Sequence, residues 1–377
     1  MSRFLISCGG TGGHLAPGIA LAEGLIARGH RVRLLISRKK VDARLIEKYA
    51  NMEFEPVPGT GFSWRPVELV RFLWQQSLGF LKSLRLVRHF KPDAVIGFGG
   101  FTSAAFIAAG AFTGLPVVLH EANRVPGRAI RLMGRFARRV YLPPGVTLPT
   151  MSVDAVREAA LPVRREFRRE AVGDARRLLG LEESRPVVVV LGGSQGAAPL
   201  NDWARRALGT LTADGIQVYC VTGQGKGSAE RIEMASAAGE RVRHVFVPFS
   251  DQMATLLSAA DLVVSRAGAG TLAELMRIGT PAVLVPYPFA ADNHQEANAD
   301  YFAGQGCGEV LSQENLEELT GRVQKYLASA EIRALFRANL GRLDRADPLP
   351  AMVADLEEIA RHNGRGTAIL PGTAGLA

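Results

Sequence analysis

Two glycine-rich stretches are the first places where this sequence can do chemistry. Gly9-Gly10-Thr11-Gly12-Gly13 runs into His14, and Gly192-Gly193-Ser194-Gln195-Gly196 repeats the pattern in the second half of the chain. Each follows a short apolar run and precedes a helical pattern. Such a turn points unpaired backbone N–H groups at one spot, with the positive end of a helix dipole behind them. Both stretches therefore predict phosphate sites.

The first turn is neither a nicotinamide-binding fingerprint nor a Walker A loop. Leu15 stands where the third glycine of G-x-G-x-x-G belongs, and Ile36-Ser37-Arg38 supplies no acidic residue for a ribose. No Gly-Lys-Ser/Thr follows either. The second turn also matches the G-x-S-x-G elbow of serine hydrolases, with Ser194 as nucleophile and His294 as base. Asp292 lies only two residues from that histidine, but a hydrolase stays open as an alternative.

A third glycine turn lies in Arg266–Glu274. Thr271 is placed to cap the following helix, and Glu274 three positions later completes a capping box. Glu274 can instead accept hydrogen bonds from the two hydroxyls of a ribose. Composition leaves both roles open.

Short apolar runs that alternate with helical patterns must position these turns. Runs that are apolar on both faces and separated by helices predict parallel sheets covered on both sides. The predicted strands are Phe4–Cys8, Val32–Ser37, Ala94–Gly97, Val117–His120, Val140–Leu142, Val187–Leu191, Gln217–Thr222, His244–Val247, Leu262–Ser265 and Ala282–Pro286.

The fold class is thus α/β, with two Rossmann-like domains whose parallel sheets face a deep cleft between them. We expect an N-terminal domain over residues 1–163 and a C-terminal domain over 164–345. An amphipathic helix over 346–363 is expected to pack back toward the N-terminal domain, and 364–377 to form a frayed tail.

Charge separates the two halves more sharply than the net value of +9 suggests. Residues 1–164 carry 23 Lys and Arg against 10 Asp and Glu, a balance of +13, and residues 165–377 carry 22 against 26, a balance of −4. The first half therefore predicts an anionic partner. No helix-turn-helix, RNP or KH signal accompanies it, so we expect no nucleic acid. Cys8, Cys220 and Cys307 form no C-x-x-C pair, which indicates reduced, buried thiols.

A stretch of the first half mixes aromatic and apolar residues with basic ones. No run approaches the 18–20 apolar residues of a membrane span, but such a surface suits the headgroup region of an anionic bilayer. Ordinary core packing is the alternative. The candidate membrane-facing or acceptor-facing residues are Trp64, Arg71, Phe72, Trp74, Lys82 and Arg85.

Taken in order, the motifs resemble the MurG-type N-acetylglucosaminyltransferases of bacterial cell-wall synthesis, in glycosyltransferase family 28. The resemblance runs from Gly9 to Asn298. The motifs that carry it are Gly10-Thr11-Gly12-Gly13-His14, Gly99-Gly100-Phe101, His120-Glu121-Ala122-Asn123, Pro162-Val163-Arg164, Gly192-Gly193-Ser194-Gln195-Gly196, Phe249-Ser250-Asp251-Gln252-Met253, Arg266–Glu274 and His294-Gln295.

The resemblance implies a GT-B fold and an inverting transfer of N-acetylglucosamine from UDP-GlcNAc. The acceptor is the C4 hydroxyl of undecaprenyl-diphospho-MurNAc-pentapeptide (lipid I), and the product is lipid II. It also implies a peripheral enzyme on the cytoplasmic face of the inner membrane, an anionic lipid surface, and contacts with other cell-wall synthesis proteins. A glycolipid-forming transferase and a UDP-GlcNAc 2-epimerase share the fold and stay open.

Residue by residue, the resemblance assigns a UDP-GlcNAc site. The uridine and ribose are placed against Ser250, Ala269, Gly270, Thr271 and Glu274. Ser194 and Arg164 resemble diphosphate contacts, and His294 and Gln295 resemble donor-sugar contacts. The N-terminal domain is expected to contribute Thr11, Gly12, Gly13, His14 and Asn123. Ala104-Ala105 and Gly270 depart from the usual family pattern.

His14 is the candidate catalytic base. It opens the first helix, and a histidine at a helix N-terminus is favoured in its neutral, proton-accepting form. Orienting the donor is its alternative role. No D-x-D motif occurs in the sequence, so we expect no metal and no cofactor. Helix N-termini and Arg164 would then stabilise the leaving diphosphate.

Overall fold

The computed structural model describes residues 1–9, 12–37, 45–58, 65–193, 196–344 and 347–363. The chain forms two compact units. Unit 1 comprises Met1–Glu121, Gly127–Ala159 and the chain from Pro348, and unit 2 comprises Ala122–Pro126 and Ala160–Asp347. The second unit thus starts before the expected boundary after Val163. The physical reason is that Val163 buries its side chain in the core of unit 2. The predicted frayed tail, 364–377, lies outside the described residues.

Unit 1 is built on a parallel sheet. Its described strands pair in the order β3-β2-β1-β4-β5-β6-β7. The strands are β1 (Arg3–Ser7), β2 (Arg31–Ile36), β3 (Glu53–Pro56), β4 (Ala94–Gly97), β5 (Val117–His120), β6 (Arg139–Leu142) and β7 (Val156–Glu158). The helices before unit 2 are α1 (Gly12–Ala27), α2 (Pro66–Phe90), α3 (Phe101–Phe112) and α4 (Arg128–Met133), with 3₁₀ turns at Gly134–Phe136 and Val153–Ala155.

Unit 2 repeats this plan with a second sheet in the order β10-β11-β9-β8-β12-β13-β14. The strands are β8 (Val187–Leu191), β9 (Gln217–Val221), β10 (Glu230–Ala235), β11 (Arg241–Val247), β12 (Leu262–Ser265), β13 (Ala282–Leu284) and β14 (Gly308–Val310). The helices are α5 (Val172–Leu178), α6 (Ala198–Arg206), α7 (Leu208–Ala213), α8 (Met253–Ala259), α9 (Ala269–Ile278), α10 (His294–Gly304), α11 (Leu319–Ala328) and α12 (Ala330–Leu343). Two 3₁₀ segments span Ala291–Asn293 and Gln313–Glu318.

Four strands that the sequence pattern missed, β3, β7, β10 and β14, are the outermost strands of the two sheets. An edge strand is only half covered, so its sequence carries charges where a central strand carries an apolar run. The six residues of β10, ERIEMA, show this pattern. In addition, β10 pairs with β11 in the antiparallel direction, so the sheet of unit 2 is not purely parallel as expected.

The C-terminal helix α13 (Pro348–Asn363) belongs to unit 1. Tyr141 donates a hydrogen bond to Asp355 at 2.7 Å, and Arg139 donates two to the same carboxylate at 2.8 and 2.9 Å. The apolar face of α13 joins the core built on β1 and β2. Its buried members are Leu349, Met352, Val353, Leu356, Ile359 and Ala360.

Candidate functional site

In unit 1, the crevice for a ligand lies where the strand order reverses, between β1 and β4. The two strands pair in parallel with Ser7 beside Gly97, so the turns that follow them leave the sheet at the same level. Ligands of open α/β sheets bind at the carboxyl ends of the strands at such a switch point. The first glycine turn and the Gly99-Gly100 turn both lie here.

His14 lies in the first helical turn of α1 and contacts the Gly99-Gly100 turn. A Cβ built on Gly99 would lie 3.6 Å from Nε2 of His14, and one on Gly100 would lie 3.6 Å from Cε1. Both glycines have left-handed φ angles, of 90° and 80°. Two glycine motifs far apart in the sequence thus form one surface around the partly buried imidazole. Gly12 and Gly13 precede it in the same helix, and Thr11 lies outside the described residues.

The turn after β5 is closed by a buried carboxylate. Glu121 is 4% exposed, and its Oε2 accepts a hydrogen bond from the backbone N–H of Gly127 at 2.7 Å. The preceding residue, His120, is buried and stacks on Phe98 with ring centroids 5.2 Å apart. The residues between these anchors, Ala122–Pro126, belong to unit 2.

Asn123 was expected to approach from the N-terminal domain, but its side chain contacts unit 2. Its Oδ1 accepts a hydrogen bond from Nδ2 of Asn298 at 3.1 Å, and Oδ1 of Asn298 accepts one from the backbone N–H of Arg124 at 2.9 Å. The guanidinium of Arg124 lies 4.1 Å from the ring centroid of Tyr301. The expectation was wrong because hydrogen bonds to Asn298 of α10 hold the segment Ala122–Pro126 in unit 2. The chain on both sides of this segment belongs to unit 1.

In unit 2, the switch point lies between β8 and β12, where Leu191 pairs with Ser265. The second and third glycine turns follow these two strands and lead into α6 and α9. Ser194 and Gln195 lie outside the described residues. In the third turn, Gly268 is the N-cap of α9 and no side chain caps it. The expected capping box of Thr271 and Glu274 is therefore wrong, because α9 begins at Ala269 and places Thr271 inside its first turn.

The glycines of these two turns have different surroundings. A Cβ on Gly192 would lie 2.1 Å from the backbone N of Ala197, and one on Gly196 would lie 2.0 Å from the carbonyl oxygen of Thr222. Packing therefore requires glycine at both positions. A Cβ on Gly268 or Gly270 would meet no atom of the described residues within 4 Å. Among the residues that the structure describes, the start of α9, which includes Ala269 and Thr271, thus has open space beside it that a ligand of its N–H groups can enter.

Glu274, one turn into α9, contacts Arg164 and not the helix N-terminus. Nη2 of Arg164 donates to Oε1 of Glu274 at 3.2 Å, while Nη1 lies 2.7 Å from Oε1 of Glu166. Burial raises the pKa of Glu274, and the neighbouring arginine acts in the opposite direction. Arg164 is itself buried and lies over the ring of Phe167 at 4.9 Å. Arg164, which is expected at the diphosphate, and Glu274, which is expected at the ribose, are therefore neighbours.

The remaining candidate side chains of unit 2 are held by their own loops. Oγ of Ser250 accepts a hydrogen bond from the N–H of Gln252 at 3.2 Å. Oε1 of Gln295 accepts one from the N–H of Tyr287 at 3.0 Å, which fixes the loop after β13. Nδ1 of His294 lies 2.7 Å from the carbonyl oxygen of Ala291, so this nitrogen contacts a main-chain carbonyl, whereas the hydrolase alternative needs a carboxylate there.

The candidate membrane-facing residues lie on α2, apart from Trp64, which is outside the described residues. Trp74 is 64% exposed, Arg71 and Arg85 are exposed, and Phe72 is partly buried. Lys82 is not a solvated cation, because its Nζ lies 2.7 Å from Oε1 of Glu55. In the part of the chain that is described, no helix combines the length and apolar character needed to cross a membrane.

Two family models match most of the chain, and individual relatives match nearly the whole of it. Residues 4–142 match the glycosyltransferase family 28 N-terminal domain, and residues 187–338 match the glycosyltransferase family 28 C-terminal domain. A relative from Opitutus terrae is 57% identical over 99% of both chains, and one from Desulforamulus reducens is 32% identical over 95% of this chain and 98% of its own. Both are named UDP-N-acetylglucosamine–N-acetylmuramyl-(pentapeptide) pyrophosphoryl-undecaprenol N-acetylglucosamine transferase.

A solved structure supports the same assignment at the level of fold. The crystal structure of Acinetobacter baumannii MurG superposes with a TM-score of 0.68 over 94% of this chain and 99% of its own, at 24% identity. The expected GT-B fold with two Rossmann-like units is confirmed. On the family models and on full-length identity, the chain belongs to glycosyltransferase family 28.

Proposed function

We propose that this protein is an inverting, UDP-GlcNAc-dependent N-acetylglucosaminyltransferase that converts lipid I into lipid II in peptidoglycan synthesis. The relatives' shared name supports the two substrates. The observation in the structure that carries the proposal is the open N-terminus of α9, with the Arg164–Glu274 pair one turn further along. A nucleotide diphosphate needs such a combination of N–H donors, a cation and an acceptor for ribose hydroxyls.

The donor is proposed to bind unit 2 in three parts. Glu274 accepts hydrogen bonds from the ribose, while Ser250, Ala269, Gly270 and Thr271 surround the uridine end. Arg164, shared by two carboxylates in the free protein, turns toward the diphosphate together with Ser194. Gln295 and His294 meet the donor sugar. Arg164 is buried, so once it has turned from the carboxylates to the diphosphate its charge stabilises departing UDP with little screening by water.

Unit 1 supplies the base in this proposal. His14 takes the proton of the acceptor C4 hydroxyl as that oxygen attacks C1 of N-acetylglucosamine from the face opposite UDP. The C1–O bond to the diphosphate breaks, and UDP leaves with the bonding electron pair. Thr11, Gly12, Gly13 and Asn123 are assigned to the donor, UDP-GlcNAc, while Gly99 and Gly100 present no side chain beside the imidazole where the acceptor is proposed to bind. A base in hydrogen-bond reach of the attacking hydroxyl contributes roughly 10²–10⁴-fold to such reactions.

Purified protein incubated with UDP-GlcNAc and a short-chain lipid I analogue tests the reaction, with and without EDTA. We expect a β-linked disaccharide product and acceptor-dependent release of UDP in both cases. Release of UDP without acceptor, with epimerised sugar, would identify an epimerase instead. Transfer to a diacylglycerol in place of lipid I would identify a glycolipid-forming enzyme.

The same protein is proposed to work as a peripheral enzyme on the cytoplasmic face of the inner membrane, against anionic lipid. Helix α2 has two apolar faces, and only one of them is buried, around Gly79, Ser83, Leu86 and Phe90. The second face is solvent-exposed, which is unusual for a helix packed on a core. Its members, with exposed fractions of 38–82%, are Val67, Val70, Leu73, Trp74, Leu78 and Leu81.

A basic groove of about 800 Å³ adjoins the exposed face of α2. The sheet contributes Arg31 and Arg33, which share the carboxylate of Glu53 at 3.0 and 2.6 Å. The cationic residues that line the groove are Arg3, Arg31, Arg33, Lys82 and Arg85, and His89 lies beside them. Cations beside exposed apolar side chains match the two halves of a phospholipid, its headgroup and its acyl chains.

Vesicle sedimentation tests this surface. Trp74→Glu should reduce binding to every vesicle, whereas Arg71→Glu with Arg85→Glu should reduce binding only to vesicles that contain phosphatidylglycerol. Arg206→Glu, an exposed position in unit 2, controls for the change in net charge. Unchanged binding of all the α2 variants would exclude this face as the membrane surface. Contacts with other cell-wall synthesis proteins are part of the same proposal, and co-sedimentation of such proteins with the vesicle-bound enzyme would test them.

A further inference from the structure

Asn298 has a buried side-chain amide and is not one of the residues assigned to the site from the sequence. It lies one turn after Gln295 in α10 and is only 3% exposed. Its Nδ2 donates to Oδ1 of Asn123 and to the carbonyl oxygen of Ala267, both at 3.1 Å, and its Oδ1 accepts from the N–H of Arg124 at 2.9 Å. The side chain thus connects three points of unit 2.

These points belong to two segments that are distant in the sequence and that both serve the proposed donor site. One is Ala122–Pro126, which carries Asn123. The other is the turn into α9, because Ala267 directly precedes Gly268, the N-cap whose surroundings are open. Both N–H groups of the amide are used, one on each segment, and the oxygen is used as well. Asn298 can therefore act on a ligand through the two segments that it holds.

We infer that Asn298 is the positioning residue that fixes Asn123 and the α9 N-terminus relative to each other for donor binding. The segment that carries Asn123 needs such an anchor, since it enters and leaves through unit 1 while its side chains contact unit 2. The stacking of Arg124 on Tyr301 is a second, weaker anchor of the same segment. The inference rests on the proposed function for the identity of the ligand, UDP-GlcNAc. The statement that Asn298 holds the two segments together does not depend on that function.

Steady-state kinetics with Asn298→Ala tests the functional half. We expect the KM for UDP-GlcNAc to rise about tenfold, as loss of two or three modest hydrogen bonds implies, with a smaller change in kcat. Asn123→Ala should raise the same KM. In the double variant the two effects should not multiply, because each removes the same connection. Multiplying effects, or an unchanged KM, would overturn the inference.

Two variants separate positioning from folding. Asn339→Ala removes an amide that holds the Gly306 turn of unit 2 through a 2.7 Å hydrogen bond, and it should leave the KM unchanged. Asn298→Asp keeps the acceptor for the N–H of Arg124 and loses both donated hydrogen bonds. It therefore remains informative if Asn298→Ala does not fold, and its KM should also rise.

Hydrogen exchange provides a readout that needs no substrate. In Asn298→Asp, exchange should accelerate in residues 122–126 and 267–271 and stay unchanged in β8 and β9. If exchange in both segments matches the wild type, the inference fails whatever the protein's substrate is. If exchange changes as expected but the wild type neither binds nor turns over UDP-GlcNAc, the proposed function fails and the connection made by Asn298 stands.

Discussion

The two units place glycine turns at equivalent switch points, yet the glycines do different things there. In unit 1, Gly99 and Gly100 have positive φ angles, so the backbone favours glycine there, and a Cβ on either would touch the His14 ring at ordinary contact distance. In unit 2, Gly268 has an ordinary φ of −69° and Gly270 lies within a helix, and a Cβ on either would meet no atom of the described residues within 4 Å. Neither the backbone nor the described neighbours require these two glycines.

The contrast indicates how the candidate site of each unit is made. In unit 1, glycines form a close surface around one imidazole, that of the proposed base. Unit 2 uses glycine to keep the start of a helix open, so that a ligand can approach its N–H groups closely. Substitutions at the two kinds of glycine should therefore separate stability from donor binding, and substitution of His14 should affect the chemical step.

Replacement of His14 with alanine should have the largest effect. Loss of a general base predicts a fall in kcat of roughly 10²–10⁴-fold with little change in the KM for UDP-GlcNAc. The exposed histidine of α13 provides the control, since His362→Ala should retain full turnover. A near-normal kcat with weakened donor binding would instead make His14 a donor-positioning residue.

Acid should weaken unit 2 through His244, which is fully buried in β11. Its Nδ1 accepts the N–H of Val218 at 3.2 Å, and its Nε2 lies 2.8 Å from Oγ1 of Thr212, so protonation would break the first hydrogen bond. Burial lowers the pKa of His244 from 6.5 to about 4. Stability should therefore be complete above pH 6.5 and fall by about 3 kcal/mol as the pH drops to 4.

Urea unfolding at pH 7.5 and pH 5 checks this prediction. Unit 2 contains one of the three tryptophans, Trp203, so a Trp64→Phe, Trp74→Phe background reports on that unit by fluorescence. His244→Gln should flatten the dependence on pH. An equally steep loss of stability in that variant would place the responsible group elsewhere.

Gly100→Ala should damage stability and turnover together. With φ of 80° and ψ of 152°, the backbone lies in a region that alanine enters at a cost on the order of 1–3 kcal/mol. The added methyl group would lie 3.3 Å from the carbonyl oxygen of Gly9, a tight contact, and would touch the His14 ring at 3.6 Å, so relief of the tight contact shifts the turn that lies against His14. We expect a lower urea midpoint and about a tenfold lower kcat, as displacement of a catalytic group implies. Gly114→Ala, at φ of 72° with open surroundings, should lower the midpoint alone.

Gly270→Ala should have the smallest effect on stability, in the opposite direction. In a helix without steric conflict, alanine is favoured over glycine by about 0.5–1 kcal/mol. The urea midpoint should therefore rise while the KM for UDP-GlcNAc increases severalfold. Gly321→Ala in α11, also without neighbours within 4 Å, should raise the midpoint and leave the KM unchanged. If both variants behave alike, the open space at α9 has no role in donor binding.

Local patterns predict the parts of this molecule that are locally determined. The central strands and the glycine turns after them follow from apolar runs that end in glycine, and they confirm the α/β prediction. Edge strands such as β3, with the sequence EFEP, lack that signal because half of each strand faces solvent. The cap of α9 was mispredicted because Gly268 serves as N-cap without a side chain, so the S/T-x-x-E pattern at Thr271 had no function there.

Contacts between distant segments account for the rest. Nothing near Asn123 in the sequence indicates that it belongs with unit 2, and its contact with Asn298 shows that it does. Likewise, Arg164 and Glu274 each resemble ligand contacts, but their mutual hydrogen bond depends on how α9 packs in unit 2. In the sequence, Asn298 marks only the end of the stretch that resembles the family, and its three hydrogen-bond partners could not be inferred from spacing.

The position of α13 in unit 1 has a consequence for biosynthesis. The first strand of unit 1 leaves the ribosome early, but part of its core, including Met352 and Leu356, is translated only after the whole of unit 2. Although domains often fold in N- to C-terminal order during translation, here the core of the amino-terminal unit stays incomplete until α13 has been made. The apolar residues that α13 covers are therefore uncovered while unit 2 is synthesised, and exposed apolar surface in that period favours aggregation.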